Sequence, residues 1–309
     1  MDPSRIVVMG TGGVGGYFGG RLARAGAAVT FVARGAHLGA LQRDGLTVDS
    51  TIEGRWRVPV DAVERLEGRP PADMVLLCVK SFDTAAALAH VRPVVGRETG
   101  VLSLQNGVEN LETIDRVLGP GHAVGGAAYV FATIETPGVI AHRFAGRLVF
   151  GEMDGQPSGR CQRLAGALAR AGVPHELSAD IRRVVWEKYL FITAQAGLTA
   201  LTRCPLGIVR DVPEAWRLYR LILEELAGLA AASGVGLAPD AVDTIMRMAA
   251  GLGPETSSSL AHDLAQGRRL ELEALHGYAV RQGERLGVPT PATFAVYAGL
   301  KPHADGRRG

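Results

Sequence analysis

Apolar positions in the first hundred residues fall in short runs rather than stripes. Arg5–Met9 (RIVVM), Ala28–Ala33 (AVTFVA), Met74–Val79 (MVLLCV) and Gly100–Leu104 (GVLSL) are brief, branched and bounded by glycine or polar turns. That pattern predicts strands buried on both faces. Val14–Ala25, between the first two runs, has the spacing of a helix, and strand–helix–strand alternation predicts a parallel sheet covered by helices. Val124–Gly151 mixes aromatic and β-branched residues around Pro137-Gly138, which predicts antiparallel strands extending the sheet. After about Ser178 the period changes. Ile181–Leu201, Val212–Ser233, Pro239–Ala250, Ser257–Gln266 and Leu270–Leu286 carry helical spacing, broken at Cys204-Pro205, Gly234–Gly236 and Gly253-Pro254. The expected fold is α/β, with an N-terminal Rossmann-type doubly wound sheet over residues 1–178 and an all-helical C-terminal domain over 179–309.

The most local signal is Gly10-Thr11-Gly12-Gly13-Val14-Gly15, a G-x-G-x-x-G that follows a predicted strand and opens a predicted helix. In that context Gly10 permits the tight turn, Gly12 lets backbone approach a pyrophosphate, and Gly15 lets helix and strand pack closely. The helix N-terminus then faces the anion, so Gly10, Thr11, Gly12, Gly13, Val14 and Gly15 are candidate cofactor-binding residues. The sugar end is read from charge. No acidic residue occurs between Asp2 and Asp44, whereas Arg34 ends the second predicted strand. A guanidinium there suits a 2′-phosphate, which selects NADPH over NADH. Asn106 and Lys80 follow the carboxyl ends of two parallel strands, where doubly wound folds bind ligands, although Asn106-Gly107 is also a common turn dipeptide.

Composition narrows the class. The 309 residues are 47% hydrophobic and 21% charged, as in globular proteins, and the formal net charge is +2. Without a basic block, neither nucleic acid nor a membrane surface is the expected partner. Met1 opens no signal-peptide pattern, and Leu226–Ala238 is too short and too rich in Gly and Ala to span a bilayer. Three scattered cysteines (Cys78, Cys161, Cys204) fit a reduced, cytoplasmic protein, and the eight histidines show no metal-ligand spacing. His262 reads as packing or surface, Trp186, Tyr189 and Phe191 as core, and Glu224-Glu225 as a solvated helix face.

Only three of the 33 basic residues are lysines: Lys80, Lys188 and Lys301. Lys301 lies in the polar tail Lys301–Gly309, whereas Lys188 interrupts the apolar helix pattern Val184–Ala200. Lys188 either snorkels from the helix edge or points into a partly desolvated cleft and donates to a substrate carbonyl.

The chain resembles the ketopantoate reductase family over nearly its whole length. Carrying the likeness are Gly10–Gly15, Val79-Lys80, Gln105-Asn106-Gly107, Trp186-Glu187-Lys188, Ser257–Ser259, Asp263, Gly267-Arg268, Glu271 and Gly277-Tyr278, in that order and spacing. The resemblance implies NADPH-dependent reduction of a small 2-keto acid, with 2-dehydropantoate as substrate, pantoate as product and pantothenate biosynthesis as the setting. It implies Lys188 as the catalytic lysine and Glu271 as its paired carboxylate. Ser259 would bind the substrate carboxylate, Asn106 would lie near nicotinamide and ketone, and Lys80 would line the same crevice. A fixed ammonium aimed at the carbonyl oxygen would stabilise the developing alkoxide.

The family pattern has asparagines four and eight residues after the lysine, where this chain has Ile192 and Ala196. Gln195, about 20° from Lys188 around the helix, is the candidate replacement and a candidate substrate-binding residue. The loss of both amides keeps a more apolar 2-keto acid open as the substrate. Two other readings compete. A β-hydroxyacid-type dehydrogenase would also have an asparagine in place of Ile192, and a non-catalytic NADP(H) sensor would need neither Lys188 nor Glu271. Assembly is left open, with a homodimer as the candidate.

Overall fold

The computed structural model describes residues 4–306, so Asp2 and the last residues of the polar tail lie outside the described part. Two compact units emerge: Met1–Gln105 with Asn110–Ile181, and Asn106–Glu109 with Arg182–Gly309. The loop carrying Asn106 therefore groups with the helices, although it directly follows a strand.

The first unit is a curled, mixed, ten-stranded sheet with helices. Its elements are β1 (Arg5–Met9), α1 (Gly13–Arg24), β2 (Ala28–Val32), α2 (Gly35–Asp44), β3 (Leu46–Ser50), β4 (Gly54–Val58), β5 (Asp61–Val63) and β6 (Met74–Leu77). They continue through α3 (Thr84–Val91), β7 (Gly100–Ser103), α4 (Glu109–Leu118), β8 (Ala123–Thr136), β9 (Val139–Glu152), α5 (Gly159–Arg170) and β10 (His175–Leu177). Strand order is β4-β3-β9-β8-β7-β6-β1-β2-β5, with β10 also on β9. From β1 the chain steps one way to β2 and later the other way to β6. The carboxyl ends of β1 and β6 thus flank a topological switch point, where doubly wound sheets open a ligand crevice.

The four predicted parallel strands and the antiparallel β8–β9 hairpin are all present. The additions are β3, β4, β5 and β10. β3 runs parallel to the start of β9 (Thr47 opposite Val139), while β10 runs parallel to its end (His175 opposite Leu148). Together with three register shifts in the hairpin, these pairings curl the sheet around α1.

That enclosure explains why α1 is rich in glycine. A Cβ at Gly13 would stand 1.9 Å from the Ala132 carbonyl oxygen, and one at Gly16 would stand 2.7 Å from Ile140. One at Gly19 would strike Phe31 at 2.6 Å, and one at Gly20 would strike Leu46 at 2.7 Å. Each helical glycine costs about 0.5–1 kcal/mol relative to alanine. Close packing against β2, β3, β8 and β9 offsets it, and Tyr17, Phe18, Phe31, Leu46 and Phe150 form a core without measurable exposure beyond 1%.

The second unit holds helices and no strand among its described residues: α6 (Ile181–Thr202), α7 (Leu206–Asp211), α8 (Pro213–Ala232), α9 (Ala241–Ala250), α10 (Ser259–Ala265), α11 (Tyr278–Leu286) and α12 (Pro291–Leu300). Two expectations need correction. Leu270–Leu286 is not one helix. Leu270 donates its N–H to the Ala304 carbonyl, and a π-helical turn at Glu273–Gly277 precedes α11. Glu225 is not a solvated side chain on α8. Its carboxylate accepts from the Ala292 and Thr293 N–H groups (2.7 and 2.8 Å) and the Thr293 hydroxyl (2.7 Å), capping α12. The N-terminus of a helix that opens on Pro291 has orphan amides, and a carboxylate is their natural partner. Trp186 and Tyr189 are core residues, packed edge to face. No helix of the described residues is long and apolar enough to cross a membrane, and none of their His, Cys, Asp and Glu groups could hold a metal ion.

Candidate active site

In the sheet unit the site is made by absent side chains. Gly10 adopts φ +97, a conformation only glycine takes without strain, and a Cβ there would meet the Val79 backbone nitrogen at 2.8 Å. At Gly15 a Cβ would lie 2.2 Å from the Gly10 carbonyl oxygen, so turn and helix touch backbone to backbone. Gly12 differs, because nothing lies within 4 Å of the place its Cβ would take. As N-cap of α1, Gly12 supplies no capping side chain, and the first turn holds no acidic residue. Open space at a helix N-terminus without a carboxylate fits the pyrophosphate of a dinucleotide. Buried Thr11 donates from its N–H (3.3 Å) and hydroxyl (2.9 Å) to the Val32 carbonyl, tying the turn to the end of β2. Two residues past Val32 stands the exposed Arg34, N-cap of α2. The local charge there is positive, as a 2′-phosphate requires. Exposed Lys80 opens the short 3-10 turn Ser81–Asp83 after β6.

Gln105 is a contributor that sequence reasoning used only as part of a motif. Its buried amide donates to the Val79 carbonyl (3.0 Å) and the Thr84 hydroxyl (2.8 Å), fixing the end of β6 to the end of β7. The signal was present: a buried-type strand run ending in an amide beside another strand end.

In the helical unit the site is made by charge under burial. Lys188, on α6, is half-buried as a residue, yet its ammonium lies deep. Burial pulls its pKa down from 10.5, the Glu271 carboxylate pushes it partly back up, and the result is about 8. Glu271 is only 8% exposed and lies just ahead of the π-helical turn. Burial of the ammonium runs against a snorkelling side chain, which would keep its charge in water. Asn106 is half-buried, and the Gly107 that follows has φ +97, with a Cβ position 2.9 Å from the Ala274 carbonyl oxygen. The Asn106 loop thus rests on the turn that follows Glu271.

Ser259 is the exposed first residue of α10, one past the N-cap Ser258. Ser258 accepts from the Ala261 N–H at 3.0 Å and shares a hydrogen bond with Thr199 of α6 at 2.8 Å. Gln195 is buried. Its Nε2 donates to the Ser257 carbonyl (3.0 Å), and its Oε1 is enclosed without a hydrogen-bond partner. Gln195 and Thr199 together lash the Ser257–Ser259 segment to the helix that carries Lys188. On the same helix Ile192 is half-buried and Ala196 is 4% exposed.

A glycine turn at a switch point, together with a helical unit holding a buried lysine–carboxylate pair, defines an α/β oxidoreductase of the dinucleotide-dependent kind. The chain belongs to the ketopantoate reductase family: residues 6–155 match the model "Ketopantoate reductase PanE/ApbA", and 180–304 match its C-terminal counterpart. It is 30% identical to the 2-dehydropantoate 2-reductase of Mesorhizobium japonicum, over 95% of this chain and 96% of that protein. An uncharacterized oxidoreductase, YkpB of Bacillus subtilis, is 28% identical over 96% of this chain and 98% of that one. Among solved structures, the PanE/ApbA family ketopantoate reductase of Ralstonia eutropha JMP134 superposes with a TM-score of 0.88 at 36% identity, covering 97% of this chain and 98% of that one.

Proposed function

We propose that this protein is a cytoplasmic enzyme that reduces the keto group of 2-dehydropantoate to give pantoate, with NADPH as reductant. The observation that carries the chemistry is the burial of the Lys188 ammonium together with the Glu271 carboxylate, which brings the lysine down to about 8. Family membership carries the substrate, and three free cysteines support the compartment. The sheet unit, residues 1–178, holds the cofactor, and the helical unit, 179–309, holds the substrate. Bound NADPH supplies the hydride that adds to the ketone carbon. Gly10, Thr11, Gly12, Gly13, Val14 and Gly15 bind the pyrophosphate with backbone groups, and Arg34 binds the 2′-phosphate.

As the ketone is reduced, negative charge gathers on its oxygen. Lys188 donates a hydrogen bond to that oxygen and then gives it a proton. With a pKa of about 8 it is charged at neutral pH, yet releases its proton far more readily than an ordinary lysine. Glu271 holds the ammonium in place and limits the cost of burying it. Ser259 binds the substrate carboxylate, Asn106 orients the ketone, and Lys80 lines the cofactor side. Gln195 acts on the substrate through the Ser257–Ser259 segment that it anchors.

One observation favours a second reading, a more apolar 2-keto acid. Ile192 and Ala196 bring no hydrogen-bonding group to the Lys188 side of α6, and the Gln195 amide nitrogen is already committed. A homodimer is the assembly proposed for this protein, to be checked by its mass in solution. The deciding assay follows NADPH absorbance with 2-dehydropantoate and a panel of branched 2-keto acids lacking the hydroxyl. Preference for 2-dehydropantoate upholds the first reading. Preference for the deshydroxy acids by about tenfold or more selects the second. No turnover with any of them rejects both.

A further inference from the structure

Between Glu271 and α11 the chain makes a π-helical turn, with the Gly277 N–H reaching back five residues to the Leu272 carbonyl at 3.0 Å. Such turns insert a residue into a helical run and persist where surrounding contacts hold them. Glu273 is the first hold. Its carboxylate accepts from the Tyr297 hydroxyl at 2.8 Å and pairs with Arg281 at 2.7 Å and with Lys301. The second is the Leu275 carbonyl, which accepts from the Tyr189 hydroxyl at 2.5 Å, and Tyr189 is the residue after Lys188. The third is the Ala274 carbonyl, against which Gly107, the residue after Asn106, is packed. Arg281 reaches from Glu273 to Glu109 at 3.2 Å, at the other end of the Asn106 loop. Five consecutive residues therefore engage the chain next to Asn106, next to Lys188 and just after Glu271.

We propose that the π-helical turn Glu273–Gly277 is the device that fixes Lys188, Glu271 and Asn106 relative to one another, with Glu273 and Tyr189 as positioning residues. The proposal rests on the reductase reading for its kinetic consequence and on contacts alone for its structural one. Glu273 holds the turn from outside through three partners on α11, α12 and the segment after α12. Tyr189 passes the position of the turn to the α6 backbone that bears Lys188. Neither side chain touches the substrate in this scheme. Both act through the placement of the groups that do.

Two variants test it. Glu273→Gln removes two ion pairs and keeps the shape. Tyr189→Phe removes one hydroxyl and no charge, so a change it causes cannot come from a deleted charge. Because Lys80, Lys188 and Lys301 are the whole lysine complement, labelling lysine with heavy nitrogen reads the Lys188 titration directly by NMR, without turnover. In each variant kcat falls about tenfold or more, since small misplacements near the reacting atoms are costly. The Lys188 midpoint moves by about half a pH unit or more as the relation to Glu271 changes. NADPH affinity, carried in this reading by the glycine turn and Arg34, stays within about twofold. If both variants keep the wild-type midpoint and kcat while melting earlier, the turn is only structural and the proposal is overturned. Should Glu273→Gln not fold, Tyr189→Phe alone decides. Should the wild type reduce no 2-keto acid while the midpoint still moves, the reductase reading fails and the positioning device stands.

Discussion

The two units supply the proposed chemistry by opposite means. Around α1 the working feature is a series of missing Cβ atoms: nothing near Gly12, and collisions at Gly10, Gly13 and Gly15 if a side chain were added. Around α6 it is a charge placed where water is scarce, with Lys188 held at about 8 beside buried Glu271. The first kind of site is set by sterics and is indifferent to pH. The second is set by electrostatics and titrates near neutrality. The difference teaches where each half is vulnerable, to added atoms in one and to lost charge or changed pH in the other.

The harshest way to sharpen that contrast is Gly13→Ala. Its Cβ would sit 1.9 Å from a backbone oxygen of β8, so α1 and β8 must separate. The expected destabilisation is about 4 kcal/mol or more, read as a collapse of the urea midpoint. A variant as stable as wild type would show that the close approach is not required.

On the helical side, Lys188→Ala is expected to lower kcat/KM for the 2-keto acid by roughly 1000-fold, about 4 kcal/mol, with NADPH affinity unchanged by fluorescence titration. Equal turnover would remove Lys188 from the mechanism.

Acid stability is the next largest effect. His276 lies in the π-helical turn with no exposure, and burial lowers its pKa from 6.5 to about 4. Between those values the unfolded chain binds a proton that the folded one refuses. Stability is therefore full above about pH 6.5 and is lost as pH falls toward 4, by up to about 3 kcal/mol. His276→Phe, which cannot titrate, should lose correspondingly less between pH 7 and 4.5 in urea unfolding. Parallel losses in both proteins would mean that other groups dominate.

The mildest expected effect returns to the sheet unit. Arg34→Ala should weaken NADPH by about 10- to 100-fold and leave NADH within about threefold, since one exposed charge-assisted pair is worth roughly 1–3 kcal/mol. Equal loss for both cofactors would move the 2′-phosphate contact elsewhere.

The same contrast governs what could be read before folding. Gly10–Gly15 was legible because turn, pyrophosphate cradle and helix start are neighbours in sequence. Further glycines of α1 were not, because Gly16 and Gly20 acquire meaning only when β3 and β9, some 90 residues apart, pair alongside. β3 and β4 were overlooked as short, charge-bearing runs (LTVDS, GRWRV) whose burial comes from that pairing. Lys188 stood out as a lysine in an apolar helix, but its two fates differ only in tertiary surroundings. Glu271 and Ser259 stood out only through a family likeness, as their partners lie scores of residues away. The π-helical turn left no local signature, because its cause is the set of partners that Glu273, Leu275 and Ala274 find elsewhere in the helical unit.

Central to the proposed chemistry is Lys188 as an acid of unusual strength. Its titration, followed by NMR on lysine-labelled protein, should be compared with the pH dependence of kcat/KM for the reduction. One midpoint is expected in both, at about 8, with activity full below it and falling as pH rises through it, because the ammonium is the proton donor. A Lys188 midpoint at the ordinary 10.5, or a rate that stays flat through pH 8 to 9, would contradict it.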